Sequence, residues 1–239
     1  MLFERSPERY RRARPPYPDE LWDVLADLGV ARPGARALDL AAGAGAATGP
    51  LLERGAAVDA IEPGRRLADL LHADFPDVDV QVTTAEQASY PASAYDGVVC
   101  ATALHWLDLP TVLPLVRSSL RDGGWFVPFW HVFQDPEAEP TPFRLAVNEM
   151  FGGPPKVEGS ALDQEHWGER LTQDGHFDIA DIRVWRWCHR LDTDQLRDLL
   201  LTFNGWTDGH IATAVAAAER LGGVVSEHGT TVAYLCRPR

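Results

Sequence analysis

Asp39, Gly43, Gly45 and Glu62 are the residues whose types and spacing first suggest chemistry. The stretch LDLAAGAGAATG, residues 38–49, leaves a short apolar run and enters a helical one. Gly43 and Gly45 have no Cβ, so a ligand can lie against their backbone and the turn can use positive φ. The N–H groups of Ala46 and Ala47 would face that ligand from a helix start. A dinucleotide fingerprint requires G-x-G-x-x-G. Here Thr48 holds the third glycine's place and Gly49 comes one residue late. No phosphate-binding G-x-x-x-x-G-K-[ST] loop occurs either. An aspartate behind the glycines suits a ligand with a cationic part better than a diphosphate. Seventeen residues after Gly45, Glu62 follows AVDAI, where a carboxylate can accept both hydroxyls of a ribose.

These residues need strand ends and helix starts to hold them. Strand patterns fall at Arg36–Leu40, Ala57–Ile61, Val78–Val82, Tyr95–Cys100 and Trp125–Phe133. Helical patterns fall at Asp19–Leu28, with Asp19 as N-cap and Gly29 as stop, and at Ala46–Arg54, Gly64–Ala73 and Pro110–Leu120. Such alternation implies parallel strands with crossover helices on both faces. Residues 134–155 are rich in Pro, Glu and Gly, with one helical piece at Phe143–Met150, and read as a lid. Helices are then expected at Leu162–Gln173, Thr193–Leu201 and Asp208–Leu221. A long strand, Phe177–Leu191, should pair with Thr231–Cys236 as an antiparallel edge. The fold class is therefore α/β: a doubly wound, mostly parallel seven-stranded sheet with an antiparallel edge strand, of Rossmann-like type.

At this point the sequence resembles a known family. LDLAAGAG, AIEPGRRLADLL, TTAEQASYPASAYDGVVCATALHWLD and LPLVRSSLRDGGWFVPFW look like class I S-adenosylmethionine-dependent methyltransferases. The segment ALHW after the fourth strand, and YRRARPPYPDEL before the first, are similar to a small-molecule group of that family. Ala41 and Ala42 depart from the frequent Gly-Cys, and Ala44 from the frequent Thr, which removes one hydroxyl and not the turn.

The resemblance implies S-adenosylmethionine as cofactor and S-adenosylhomocysteine as product. It implies that Asp39, Ala41, Gly43 and Gly45 shape the methionine end and that Glu62, with Pro63, holds the ribose. Ala85 and Glu86 would meet the adenine edge, Ala101 and Thr102 would lie under the sulfonium, and Tyr10 and Arg14 would close over the cofactor carboxylate. It divides the chain into a helical cap at 1–35, a cofactor core at 36–133, lid insertions at 134–176 and 192–222, and closing strands at 177–191 and 226–239, all in one structural domain.

Methyl transfer from a sulfonium is an in-line displacement in which alignment does most of the work. An oxygen or nitrogen acceptor can also use a base. His105, in ALHW, and His131, at the end of the fifth strand, are the two candidates. Tyr17, Trp106, Trp130 and Trp206 are expected to wall the acceptor site, and eight tryptophans suggest a flat, aromatic acceptor. The expected activity is methylation of oxygen or nitrogen, with carbon as a third option. One alternative is the same cofactor serving a cyclisation or elimination without donating its methyl. Another is a non-catalytic cofactor-binding protein. A nicotinamide oxidoreductase is disfavoured by Thr48.

Bulk properties narrow the partners. The net charge of −13 is a poor match for nucleic acid, whose affinity comes from Lys and Arg. It equally disfavours anionic membranes. The three cysteines lie far apart without a CxxC pair, so neither zinc nor disulfides are expected, and no metal set is seen. The N-terminal residues lack the apolar core of a signal peptide. The expectation is a cytoplasmic bacterial enzyme of secondary metabolism, monomeric or homodimeric, acting on a small molecule.

Overall fold

A computed structural model describes residues 7–239, without the side chains of Pro7 and Tyr10. The helices are α1 (Pro7–Ala13), α2 (Asp19–Asp27), α3 (Thr48–Glu53), α4 (Arg65–Asp74), α5 (Leu109–Ser119), α6 (Pro142–Met150), α7 (Gln164–Thr172), α8 (Thr193–Leu200) and α9 (Asp208–Arg220). The strands are β1 (Arg36–Leu40), β2 (Ala57–Ile61), β3 (Asp79–Gln81), β4 (Tyr95–Ala101), β5 (Leu120–Val132), β6 (Phe177–Asp192) and β7 (Val224–Pro238). They form one sheet in the order β3-β2-β1-β4-β5-β7-β6. β1 to β5 are parallel, and β7 runs antiparallel to both β5 and β6. This is the expected mixed seven-stranded architecture.

Near-continuous apolar strands are what a sheet buried on both faces requires. On one face α2 and α3 pack Leu21, Trp22, Leu25 and Leu51 against Val99, Val127, Phe129 and Ala233. On the other, α5 and α7 pack Val112, Val116, Trp167 and Leu171 against Val98, Cys100, Phe126, Trp130 and Tyr234. A third cluster lies outside this sandwich, where α6, α8 and α9 gather around Leu191 and Val225 at the far ends of β6 and β7. Those two strands thus run past the sheet and carry the lid.

Local differences from the sequence reading have local causes. Pro18, not Asp19, occupies the cap of α2, and Asp19 sits in its first turn. β5 begins at Leu120, directly after α5, rather than at Trp125. β7 begins at Val224, before the expected closing segment, because its polar stretch Ser226–Gly229 continues the pairing, opposite Trp187–Arg190 of β6. α1 ion-pairs with both sides of the molecule: Arg11 with Asp74 of α4, and Arg9 with Asp198 of α8 at 3.2 Å. It therefore bridges the sheet core and the lid.

Candidate active site

The carboxyl ends of the parallel strands β1, β2 and β4 lie side by side on one edge of the sheet, where doubly wound sheets bind ligands in a crevice. Two non-glycine residues there adopt left-handed backbone, Ala41 after β1 (φ 58°) and Thr102 after β4 (φ 55°). Each such conformation costs about 1–3 kcal/mol and collects at functional sites.

The two glycines of the turn do different jobs. A Cβ on Gly43 (φ 60°) would meet nothing within 4 Å, so that residue borders open space. A Cβ on Gly45 would stand 2.7 Å from the ring of Phe75 at the end of α4. Gly45 therefore permits close packing, and Gly43 permits close approach of something else.

Glu62 is buried and accepts from the backbone N–H of Gly43 in the turn after β1 (2.8 Å) and of Gly64, just past Pro63 (2.7 Å). These bonds fix its carboxylate at the mouth of the turn. Asp39 is fully buried; its Oδ2 accepts from the Thr48 hydroxyl at 2.7 Å and its Oδ1 has no partner. Burial, and then the nearby Glu62, push its carboxyl up to about 7, against the Thr48 hydrogen bond. An unpaired carboxylate oxygen beside a second carboxylate is an environment that asks for a cation. Ala85 is buried, and its carbonyl accepts from the Tyr90 hydroxyl; Glu86 accepts from Asp108 N–H at 3.1 Å, tying the loop after β3 to the start of α5.

Thr102 joins the crevice to β5. Its hydroxyl lies 2.9 Å from the Tyr17 hydroxyl and accepts from His131 N–H at 3.2 Å. Ala101 precedes it at the end of β4. Tyr17 stands edge-on to Phe129 and His131, with centroids 4.9 and 5.3 Å away. Arg14 lies over the Phe203 ring and donates to the Thr202 carbonyl at 3.3 Å, so its described contacts are toward the lid. Tyr10 is in α1, and its side chain lies outside the described residues.

His105 and His131 are not brought together. Alternation along β5 sends Trp130 to the α5 face and His131 to the opposite one. His105 follows Trp130, whose indole N–H donates to His105 Nδ1 at 3.3 Å. An indole nitrogen only donates, so neutral His105 carries its proton on Nε2 and offers no lone pair there. Burial and Arg170 hold it below the usual imidazole range. His131 Nδ1 is bonded to the Thr231 hydroxyl at 2.9 Å, and its Nε2 is buried without a partner. Burial, then His189 and Arg14, push it down to about 3, so it stays neutral at ordinary pH.

The expectation that Trp130 walls the acceptor site is corrected. It is 2% exposed and packed between Trp167 and Tyr234 in the core, because its strand parity points it away from the His131 side. Trp106 is 60% exposed on the turn after β4, tilted against His105. Trp206 packs edge-on to Phe151 within the lid. The sequence reading missed Trp187, which stacks on His131, His189, which leans on Trp187, and Glu227, which faces His189 across the strands. The period-two spacing of Glu227, Gly229 and Thr231 on β7 was the available signal. Among the described residues no group of three or more His, Cys, Asp or Glu could hold a metal, and no helix is long and apolar enough to cross a membrane.

The strand order and the glycine turn leaving β1 define a class I methyltransferase fold. Residues 38–127 match the methyltransferase domain family. An uncharacterised methyltransferase of Mycobacterium tuberculosis is 37% identical over 131 residues, which cover 55% of this chain. The match spans about half (52%) of that relative's length. An uncharacterised methyltransferase-like protein of Schizosaccharomyces pombe is 25% identical over 84% of this chain and 77% of its own. Among solved structures, a provisionally named type II methyltransferase from Anaeromyxobacter dehalogenans superposes with a TM-score of 0.67 at 23% identity, over 95% of this chain and 97% of that one. Geranyl diphosphate methyltransferase, solved in complex with S-adenosylmethionine, gives 0.52 at 16% identity, over 90% and 84%.

Proposed function

We propose that this chain transfers a methyl group from S-adenosylmethionine to an oxygen or nitrogen of a small aromatic acceptor, with carbon as the third option. The observation that carries the reading is the pairing of Asp39, with its partnerless buried oxygen, and Glu62 around the open backbone of Gly43. That set matches a ligand with a cationic end and a ribose. The methyltransferase-domain match over residues 38–127 supports the same ligand.

When bound, the cofactor supplies a methyl group made electrophilic by its sulfonium. The rest is the work of this chain. Glu62 would hold the ribose hydroxyls, since a carboxylate has about four acceptor sites. Asp39 would compensate positive charge. Ala101 and Thr102 would floor the reacting end, and Ala85 and Glu86 would border the adenine. α1 would shield the crevice from water, with Tyr10 and Arg14 near its mouth. Transfer then needs the acceptor atom held about 3–3.5 Å from the methyl carbon. His131 suits this better than His105, since its Nε2 can accept a hydrogen bond when Thr231 accepts from Nδ1. Tyr17, Trp106 and Trp206 would complete the acceptor surroundings.

Two measurements test the reading. Titration calorimetry with S-adenosylhomocysteine should show one site. Incubation with S-adenosylmethionine and a panel of phenols and heteroaromatic amines should release S-adenosylhomocysteine in step with a methylated product. Turnover of the acceptor without that release would favour cofactor use without methyl donation.

A further inference from the structure

β5, β6 and β7 build a second polar surface beyond Thr102 that the cofactor reading leaves unused. Register sets it up. His131 faces Thr231, Trp187 faces Gly229, and His189 faces Glu227 across the strands, so their side chains share one face of the sheet. Gly229 is the enabling residue. A Cβ there would stand 2.1 Å from the Trp187 indole and 2.5 Å from the Val132 carbonyl oxygen, so only glycine lets the indole lie flat across β7. Lying flat, the indole stacks on His131 with centroids 4.2 Å apart and planes within 4°. His189 leans on the same indole at 4.7 Å, and Phe133 stands edge-on to it at 5.0 Å.

Four polar atoms on this surface are buried without a hydrogen-bond partner: His131 Nε2, Trp187 Nε1, His189 Nε2 and Glu227 Oε1. The residues His131 and Glu227 are 8% and 3% exposed. Unpaired buried polar atoms are costly and rare. A core that needed only packing would carry apolar residues at these positions. Four of them on one face of three neighbouring strands are a set of contacts suited to a ligand. Their chemistry describes it. The indole N–H only donates, the Glu227 oxygen only accepts, and the imidazoles can do either. A diphosphate would place negative charge beside Glu227. A hydrocarbon would leave all four atoms unpaired.

We propose that Trp187, His189, His131 and Glu227 form the recognition wall for the methyl acceptor, and that it takes a planar aromatic ring carrying hydroxyl or ring N–H groups. This deepens the proposed function and rests on it. Trp187 and His189 position the ring, and Glu227 accepts from its hydroxyl or N–H.

The test is 1H–15N NMR of the full chain, following the Trp187 indole N–H, which is identified by its loss in Trp187→Phe. Three probes are titrated with and without S-adenosylhomocysteine: catechol, 1,2-dimethoxybenzene and cyclohexane-1,2-diol. Catechol should shift the indole and histidine resonances. The dimethoxy compound, which cannot donate, and the non-planar diol should bind at least about tenfold more weakly. Trp187→Phe keeps a ring, removes one donor, and should weaken catechol about five- to tenfold while leaving S-adenosylhomocysteine affinity unchanged. Gly229→Ala should displace the indole and abolish catechol binding; if it does not fold, Trp187→Phe carries the test. Equal binding of the three probes, unchanged catechol affinity in Trp187→Phe, or no probe binding with S-adenosylhomocysteine bound would overturn the wall while leaving the cofactor reading intact. Failure of S-adenosylhomocysteine to bind, with the catechol response present, would overturn the cofactor reading instead.

Discussion

The two sides of the crevice are built on opposite electrostatic plans. Beside β1 and β2, burial holds an acid, Asp39, above its ordinary range, next to a second carboxylate. Beside β5, β6 and β7, burial holds a base, His131, below its ordinary range, next to a second imidazole. Desolvation disfavours charge on both sides; in the proposed function the first side takes a cation and the second a neutral, hydrogen-bonding ring. The contrast matches the two partners of a sulfonium methyl transfer, a charged donor and an uncharged acceptor.

Perturbations of the two sides should therefore separate cleanly. Glu62→Ala should have the largest effect. Losing hydrogen bonds to a charged acceptor, at about 1.5–3 kcal/mol each, predicts a cofactor affinity at least about a hundredfold lower by calorimetry. Arg144→Met acts on the other side. Arg144 ion-pairs with the buried Glu227 and donates to the Phe133 carbonyl, joining α6 to the acceptor wall. Leaving Glu227 alone should lower unfolding stability by about 3 kcal/mol in denaturant titrations, with cofactor affinity little changed.

His131→Phe should lower turnover by about tenfold or more at near-constant cofactor affinity, whereas His105→Phe should lower it less than about threefold. The reverse order would return the acceptor contact to the α5 face.

The pH dependence carries opposite signs on the two sides. Asp39 has a raised folded pKa, so the native state holds an extra proton between about 4 and 7. Its contribution to stability falls as pH rises through that window. His131 has a depressed folded pKa, so its contribution is present above 6.5 and is lost as pH falls from 6.5 towards 3. Asp39→Asn should remove the first slope and His131→Phe the second. Affinity for S-adenosylmethionine should weaken below pH 7, by at most about tenfold per unit, and Asp39→Asn should flatten that dependence. The smallest effect should come from salt. The α1 pairs Arg9–Asp198 and Arg11–Asp74 are surface-exposed, so raising ionic strength should speed cofactor release less than about threefold.

Legibility in the sequence divides along the same line. The cofactor side is local: one strand, one turn and one helix within residues 36–53, then a carboxylate at the next strand end. Small residues and an acid in that order have few other uses, so Asp39, Gly43 and Glu62 could be read directly. Gly45 could be found but not assigned, since its packing partner Phe75 is thirty residues away. The acceptor side is assembled across three strands, and its members mean little singly. The strand pattern starts at Thr231 because Glu227 and Gly229 break the apolar run; in the proposed wall both serve the ligand face and not the core. Trp130 was misassigned by parity, since a shift of one residue along a strand exchanges crevice for core.

One titration tests the account most directly. S-adenosylhomocysteine added to the full chain and to Glu62→Ala, followed by calorimetry, should give one site in the first and an affinity at least about a hundredfold lower in the second. No binding to the native chain, or equal affinity in the two, would contradict the claim that the crevice beside Gly43 holds an adenosyl sulfonium.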